Sequence, residues 1–138
     1  MKKTYNLILI LFVFLCACKK KQESVMIPNI DISIFTKTPS VWYLKSYSLQ
    51  NVPQTLSECE RKTKVNFKPN NLGSYEYDAS ECGTIRNFSW IYEETTKKMT
   101  ILEGSSATEV ILTTLKDNVW EYEYQVNNLI YKFRFEKQ

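Results

Sequence analysis

Apolar and polar residues alternate along the last two segments of the chain. The apolar positions are Trp120, Tyr122, Tyr124 and Val126 in the first segment and Leu129, Tyr131, Phe133 and Phe135 in the second. Alternation with a period of two is typical of β-strands that bury one face. Asn127 and Asn128 lie between the segments, and asparagine tolerates the positive φ of a tight hairpin turn. The pattern therefore predicts a β-hairpin that turns at these two residues.

A single register of this hairpin satisfies both of its faces. Partners whose residue numbers add to 255 place Tyr122 opposite Phe133 on the apolar face. The same register pairs opposite charges on the polar face, Glu123 with Lys132 and Glu121 with Arg134. Each cross-strand pair contributes about 0.2–1 kcal/mol, and a slip of one residue would move the aromatic rings into water.

Similar strand-like runs continue back to Val41. The eight predicted strands are 41–49, 62–68, 73–79, 85–93, 98–103, 107–115, 119–126 and 129–136. A turn at Thr95-Thr96 places Tyr92 opposite Met99 and Trp90 opposite Ile101. Short connections imply antiparallel neighbours, and no stretch sustains the apolar spacing of a helix. We expect an all-β, up-and-down meander that covers its aromatic face by closing into a small barrel of about eight strands.

Charge and composition exclude two classes of function. From Pro39 onward, twelve Lys and Arg are balanced by thirteen Asp and Glu, so no basic face for nucleic acid is expected. The chain has no histidine, which removes the commonest general base and the commonest metal ligand. We therefore predict no enzyme, no cofactor and no metal site. Glu121 and Glu123 could form a carboxylate pair, but partners across the hairpin explain them better.

The N-terminus has the pattern of an export signal. Lys2 and Lys3 precede an apolar run over 7–15. A membrane-spanning helix needs about 20 residues, so this run is too short to span a membrane and suits a signal peptide. A buried strand or helix is the alternative. The next four residues, Leu15-Cys16-Ala17-Cys18, resemble a bacterial lipobox. That resemblance implies cleavage before Cys18, a diacylglycerol on its sulfur and a fatty acyl chain such as palmitate on its amine.

The lipobox divides the chain into three parts. Residues 1–17 are the predicted signal peptide, 18–38 the acylated cysteine with a flexible tether, and 39–138 the β domain. Isoleucines at 30, 32 and 34 together with Phe35 could add a short strand within the tether. The protein is then expected on the bacterial outer membrane through its lipid anchor, and the sequence does not select the periplasmic face or the cell surface.

Cys59 and Cys82 remain as a pair in the exported domain, where oxidation is expected. The predicted strands 62–68 and 73–79 form a hairpin that turns at 69–72, with its centre near residue 70.5. Cys59 and Cys82 then both lie at the open end of this hairpin. The side-chain pattern of the two strands prefers Val65 opposite Tyr77 and Phe67 opposite Tyr75. This register differs by one residue from the register that would place the two cysteines directly opposite each other. We predict a disulfide that stabilises by about 3 kcal/mol; two free buried thiols are the alternative.

The start of the domain, Val41-Trp42-Tyr43-Leu44-Lys45-Ser46, resembles the opening of the lipocalin-like domains of Bacteroidota lipoproteins. The resemblance covers 39–138 and continues through the two cysteines and three short motifs, Val65-Asn66-Phe67, Phe88-Ser89-Trp90 and Ile111-Leu112-Thr113. Pro39-Ser40 replaces the Gly that often precedes the opening Trp. The resemblance implies an up-and-down β-barrel and supplies no catalytic residues.

Two functions remain open. The first is a binding module in which the barrel holds one small apolar ligand. Its candidate lining residues are Trp42, Phe88, Trp90, Tyr122, Tyr124, Tyr131 and Phe133, which could equally form a solid core. The second is an envelope module without an internal ligand, which contacts another protein or a glycan through exposed tyrosines such as Tyr43 and Tyr47.

Overall fold

The computed structural model describes residues 30–37 and 39–137. Nine β-strands make up most of this part: β1 (Ser40–Leu49), β2 (Val52–Pro53), β3 (Thr63–Lys68), β4 (Leu72–Tyr77), β5 (Arg86–Glu93), β6 (Lys98–Glu103), β7 (Ser106–Lys116), β8 (Val119–Val126) and β9 (Leu129–Lys137). The helical pieces are α1 (Ser33–Thr36), α2 (Glu58–Arg61) and a 3-10 turn over Ser80–Cys82. No helix within these ranges is long and apolar enough to cross a membrane.

The strands form one antiparallel sheet that closes on itself. Its order is β2-β1-β3-β4-β5-β6-β7-β8-β9, and β1 also pairs with β9. Eight strands therefore form a closed barrel, and the two-residue β2 is added beside the end of β1. Among the described residues, closure leaves no long free strand edge for another chain to pair with. The predicted fold class, an up-and-down barrel of about eight strands, is confirmed.

The hairpin of β8 and β9 has the predicted register. Tyr122 lies opposite Phe133 and Trp120 opposite Phe135. On the outer face, Lys132 Nζ lies 2.9 Å from a Glu123 carboxylate oxygen, and Arg134 Nη1 lies 2.8 Å from that of Glu121. Asn127 and Asn128 both have positive φ, as the tight turn requires. The pairing predicted between β5 and β6 is confirmed in the same way, since both of its predicted cross-strand pairs are present.

The register predicted for β3 and β4 is wrong by two residues. Val65 lies opposite Tyr75, not Tyr77, and Phe67 lies opposite Gly73. The connection contains Pro69, Asn70 and Asn71 rather than a four-residue turn, and both asparagines have positive φ. Gly73 leaves room inside the barrel for the ring of Phe88, which a Cβ at this position would overlap.

A β-bulge in β1 changes the direction in which its second half points. The pairing with β9 shifts between Leu44 and Ser46, so Lys45 is the extra residue. An extra residue reverses the alternation of all that follow. Tyr47 consequently faces the interior, where its ring stacks on Phe133 with centroids 5.6 Å apart. The prediction that Tyr47 is an exposed contact residue is wrong, whereas Tyr43 lies before the bulge and remains on the outer face.

The segment before β1 closes one end of the barrel. The short strand expected around Phe35 is wrong, because Ser33–Thr36 form a single helical turn, α1. Phe35 is fully buried, stacks on Phe67 with a centroid separation of 3.9 Å, and meets three indoles edge-on, those of Trp42, Trp90 and Trp120. Ile30 is also buried. The packed part of the domain therefore includes residues 30–37, which the sequence assigned to the tether.

The predicted signal peptide over 1–17, the lipidation site Cys18 and the rest of the predicted tether up to residue 29 lie outside the described residues.

A disulfide joins the segments on either side of the β3–β4 hairpin. Cys59 lies in α2 and Cys82 in the 3-10 turn, and their Cα atoms are 5.2 Å apart. Ser57 caps α2 reciprocally with Glu60, so each side chain bonds the other residue's backbone N–H. The bond that the sequence predicted therefore ties two short helical pieces together at the end of the barrel opposite Phe35.

Candidate functional site

The end of the barrel opposite Phe35 contains a cavity of about 270 Å³. We call it the open-end cup. Its apolar floor is formed by Ile101, Val110 and Phe133, and three tyrosine rings, Tyr75, Tyr122 and Tyr124, stand around it. Polar groups lie at the rim, namely Arg86, Glu103, Ser106 and Thr108. The cup is thus an aromatic and aliphatic hollow with one cation and one anion at its edge.

Strand alternation places these side chains. The inward-facing residues of β8 are Trp120, Tyr122 and Tyr124. Trp120 lies in the closed core, and Tyr122 and Tyr124 follow it along the strand towards the cup. Across the hairpin, Tyr122 stacks on Phe133 with centroids 5.1 Å apart. On β4, Tyr75 lies directly opposite Arg86 of β5. The cup is therefore built by the upper layer of the residues that fill the lower barrel.

Arg86 is held by an aromatic ring and a carboxylate. Its guanidinium carbon lies 5.3 Å from the centroid of the Tyr75 ring, within the range of a cation–π contact. Its Nη1 lies 3.4 Å from Oε1 of Glu103. Both charged groups remain partly exposed at the rim. Arg86 occupies an inward position two residues before the buried Phe88, where a charge departs from the apolar pattern of β5.

Burial keeps two of the tyrosines in the protonated form. It raises the pKa of Tyr75 to about 12, and neighbouring Arg86 opposes that shift only in part. Burial also raises the pKa of Tyr122 well above its ordinary value. Both rings have protein around them even though part of their surface faces the cup. Each phenol therefore remains a hydrogen-bond donor throughout the physiological pH range.

The raised pKa of Tyr75 predicts a loss of stability in alkali. The unfolded chain releases this proton near pH 10 and the folded protein near pH 12, so the stabilisation is complete below pH 10 and falls as the pH rises between these values. We expect the wild type to lose about 1.4 kcal/mol more than Tyr75→Phe between pH 9 and 11. Urea unfolding of both proteins at the two pH values measures this difference, and equal losses would contradict it.

The seven predicted ligand residues divide into two groups. Tyr122, Tyr124 and Phe133 line the cup, and Tyr131 pairs with Tyr124 beside it at a centroid distance of 6.3 Å. Trp42, Phe88 and Trp90 instead lie in the closed core, each at most 4% exposed. The sequence did not identify Tyr75, Arg86 or Glu103. For Arg86 a signal was present, because continuing the alternation of Trp90 and Phe88 by one step places it inside the barrel.

A second depression lies on the outer wall over β8 and β9. It is a groove of about 430 Å³ and is lined by hydroxyl groups of Ser46 and Thr114, by the charged pairs of the hairpin and by the rings of Tyr47, Tyr122 and Phe133. Arg134 there bonds both Glu121 and Glu136 at 2.8–3.1 Å, so its charge is already matched. This groove is larger than the cup, but its cations Lys132 and Arg134 already lie within 2.9 Å of a carboxylate oxygen, whereas Arg86 in the cup has a carboxylate contact of 3.4 Å. Within residues 30–37 and 39–137 no group of three His, Cys, Asp or Glu could hold a metal ion.

An up-and-down barrel that is plugged at one end and hollow at the other is compatible with the binding of one small molecule. The family model described as a lipocalin-like domain matches residues 41–119, and the chain therefore belongs to this family. The matched range ends at the start of β8, and β8 and β9 complete the barrel beyond it. No curated protein and no solved structure gives a significant match to the chain.

Proposed function

We propose that the protein is a lipid-anchored envelope lipoprotein whose lipocalin-like barrel binds one small, mainly apolar ligand in the open-end cup. The observation that supports this best is the cavity itself. Three tyrosine rings and Phe133 surround a hollow, whereas the other end of the same barrel is filled by Phe35 and the three indoles around it. A hollow in which aromatic rings and convergent polar groups face the same space is a common form of ligand site.

The size of the cup restricts the ligand. Its volume of about 270 Å³ lies below the about 300–1,000 Å³ of sites that take drug-sized molecules. The core below is closed, since Trp90 and Leu112 are almost completely buried. A ligand therefore cannot extend down the barrel axis. One ring or two fused rings fit this space, and a long acyl chain, a sterol or a haem does not.

Binding is proposed rather than catalysis because of the residues in the cup. The chain has no histidine, and the cup contains one carboxylate, Glu103, which is paired with Arg86. General acid–base chemistry commonly uses a titratable group whose pKa lies near neutrality, and two phenols kept protonated do not supply one.

Ligand binding can be tested with 2-naphthol, a flat neutral probe, by titration of the ¹⁵N-labelled domain monitored by NMR. We expect saturable shifts that centre on the residues of the cup. Thr108→Trp places an indole in the cup and should abolish these shifts. Ala107→Trp puts the same indole on the outer wall one residue away and should leave them intact. Binding that survives Thr108→Trp, or shifts that never saturate, would favour the module without an internal ligand.

The anchor is supported by the lipobox pattern that ends at Cys18. Mass spectrometry of the mature protein should find Cys18 at the N-terminus, carrying diacylglycerol and an acyl chain. Replacing residues 1–18 with a signal peptide that is cleaved without lipidation should move the protein from the membrane fraction to the soluble fraction. A mature protein that keeps an unmodified Cys18 would contradict the anchor and leave the cup untouched.

A further inference from the structure

We infer that the occupant of the open-end cup is a small planar acid whose carboxylate is bound by Arg86. This inference rests on the proposed function and names the chemical class of its ligand. It starts from an unusual placement: among the described residues that line the cup, Arg86 and Glu103 are the charged ones, and Arg86 is the cation.

Every other paired cation among the described residues has a carboxylate oxygen at 2.8–2.9 Å, and Arg86 does not. Its Nη1 lies 3.4 Å from Glu103, whereas Lys98, Lys132 and Arg134 lie 2.8–2.9 Å from their carboxylate partners. Arg134 uses Nε and both terminal nitrogens in hydrogen bonds. Arg86 meets Glu103 through one nitrogen, and a guanidinium carries five N–H donors in a planar fork. Its fork can therefore accept a second carboxylate.

Tyr75 helps to position that fork. The guanidinium lies over the ring, and the ring is itself fixed by Phe88, whose centroid is 4.8 Å away. Phe88 in turn packs over Gly73. A guanidinium positioned in advance loses less side-chain entropy when it binds an anion.

The other polar groups of the cup also favour a ligand rich in acceptors. The hydroxyls of Tyr75 and Tyr122 stay protonated and can donate to a ligand, and with the guanidinium they outnumber the one carboxylate of the cup, Glu103. Below them the floor of Ile101, Val110 and Phe133 is apolar. The complementary molecule has a flat apolar body and a carboxylate at one end.

A cation is the competing occupant, because aromatic rings beside a carboxylate can bind ammonium groups. The face of Tyr75 is already covered by Arg86, and the positive charge of Arg86 opposes a second cation in so small a space. The positive charge of Arg86 therefore attracts a carboxylate ligand and repels an ammonium ligand.

Three probes of one shape distinguish these possibilities: 2-naphthoate, the neutral 2-naphthamide and the cation 2-naphthylmethylammonium. We expect 2-naphthoate to bind about 10- to 100-fold more tightly than the amide, as a hydrogen-bonded charge contributes. Arg86→Met should remove this advantage and leave the affinity for the amide unchanged. Glu103→Gln should strengthen binding of the acid, since it removes the competing carboxylate. Arg134→Met, a charge-matched change on the outer wall, should alter none of these affinities.

Each outcome decides a separate point. If the three probes bind equally in the wild type, or the ammonium binds most tightly, the inference is wrong and the cup remains a binding site. If none of the probes binds, the proposed function fails as well. Should Arg86→Met not fold, as judged by circular dichroism, Arg86→Lys keeps the charge but loses the fork. It should bind 2-naphthoate more weakly than the wild type and more strongly than it binds the amide.

Discussion

Replacing Phe35 with alanine is expected to lower the free energy of unfolding by about 3–5 kcal/mol, the usual cost of removing a large buried ring. Phe35 is fully buried and fills the centre of a cluster that contains Phe67 and the indoles of Trp42 and Trp120. The surrounding rings belong to different strands of a closed barrel, so they cannot collapse easily into the space. Urea unfolding monitored by tryptophan fluorescence measures the change.

Thr36→Ala provides the matched control for Phe35→Ala. Thr36 is the next residue of α1 and is exposed, so its truncation should change the stability by less than about 0.5 kcal/mol. If Phe35→Ala also costs less than about 1 kcal/mol, residues 30–37 do not unfold with the barrel, and the assignment of this segment to the packed domain is wrong.

Removing the disulfide should cost about 3 kcal/mol in the chain-entropy model, because the bond closes a loop between residues 23 apart in sequence. The double variant Cys59→Ser, Cys82→Ser and the wild type in reductant should show the same loss in urea unfolding. Their agreement separates the effect of the bond from that of the serine side chains.

The effect should also be local. The bond joins α2 to the 3-10 turn at the open end, whereas the hairpin of β8 and β9 lies on another part of the wall. Relative to the wild type, the amide hydrogen-exchange rates of the double variant should rise strongly around residues 59 and 82 and much less at Tyr122. Uniform acceleration across the barrel would contradict this picture.

The parts of the fold that the sequence predicted are those in which both faces of a strand carry information. In β8 and β9 the aromatic face and the charged face demand the same register, and the structure has it. The hairpin of β3 and β4 lacks this double constraint. Gly73 contributes no side chain to the pattern, and a connection of three residues containing two asparagines can shift the pairing without an obvious signal.

Local irregularities account for the remaining errors. The bulge at Lys45 reverses the alternation in β1, and nothing in Lys45-Ser46 marks it, so Tyr47 was assigned to the wrong face. In α1 the isoleucines at 32 and 34 alternate as in a strand. A helix of four residues is too short to show a period of its own, and its position is set by the burial of Phe35.

The candidate site could be predicted only in part. Alternation shows which residues face inward, but it does not show their height along the barrel axis. Trp120 and Tyr124 belong to one face of one strand, and only closure of the sheet puts the first in the core and the second at the cup. Alternation places Arg86 on the inner face, but a charged residue at the first position of a strand is ordinarily solvated, so the sequence alone does not mark it as part of a site.

The position of α1 has a consequence for how a tethered molecule would be oriented. With the anchor proposed at Cys18, eleven residues separate the acylated cysteine from the buried Ile30, a span of at most about 40 Å when fully stretched. The described part of the domain begins at Ile30, at the end of the barrel that Phe35 fills. A short tether would therefore hold that end towards the bilayer. The open-end cup would then face away from the lipid, and its ligand would enter from the aqueous phase and not from the membrane.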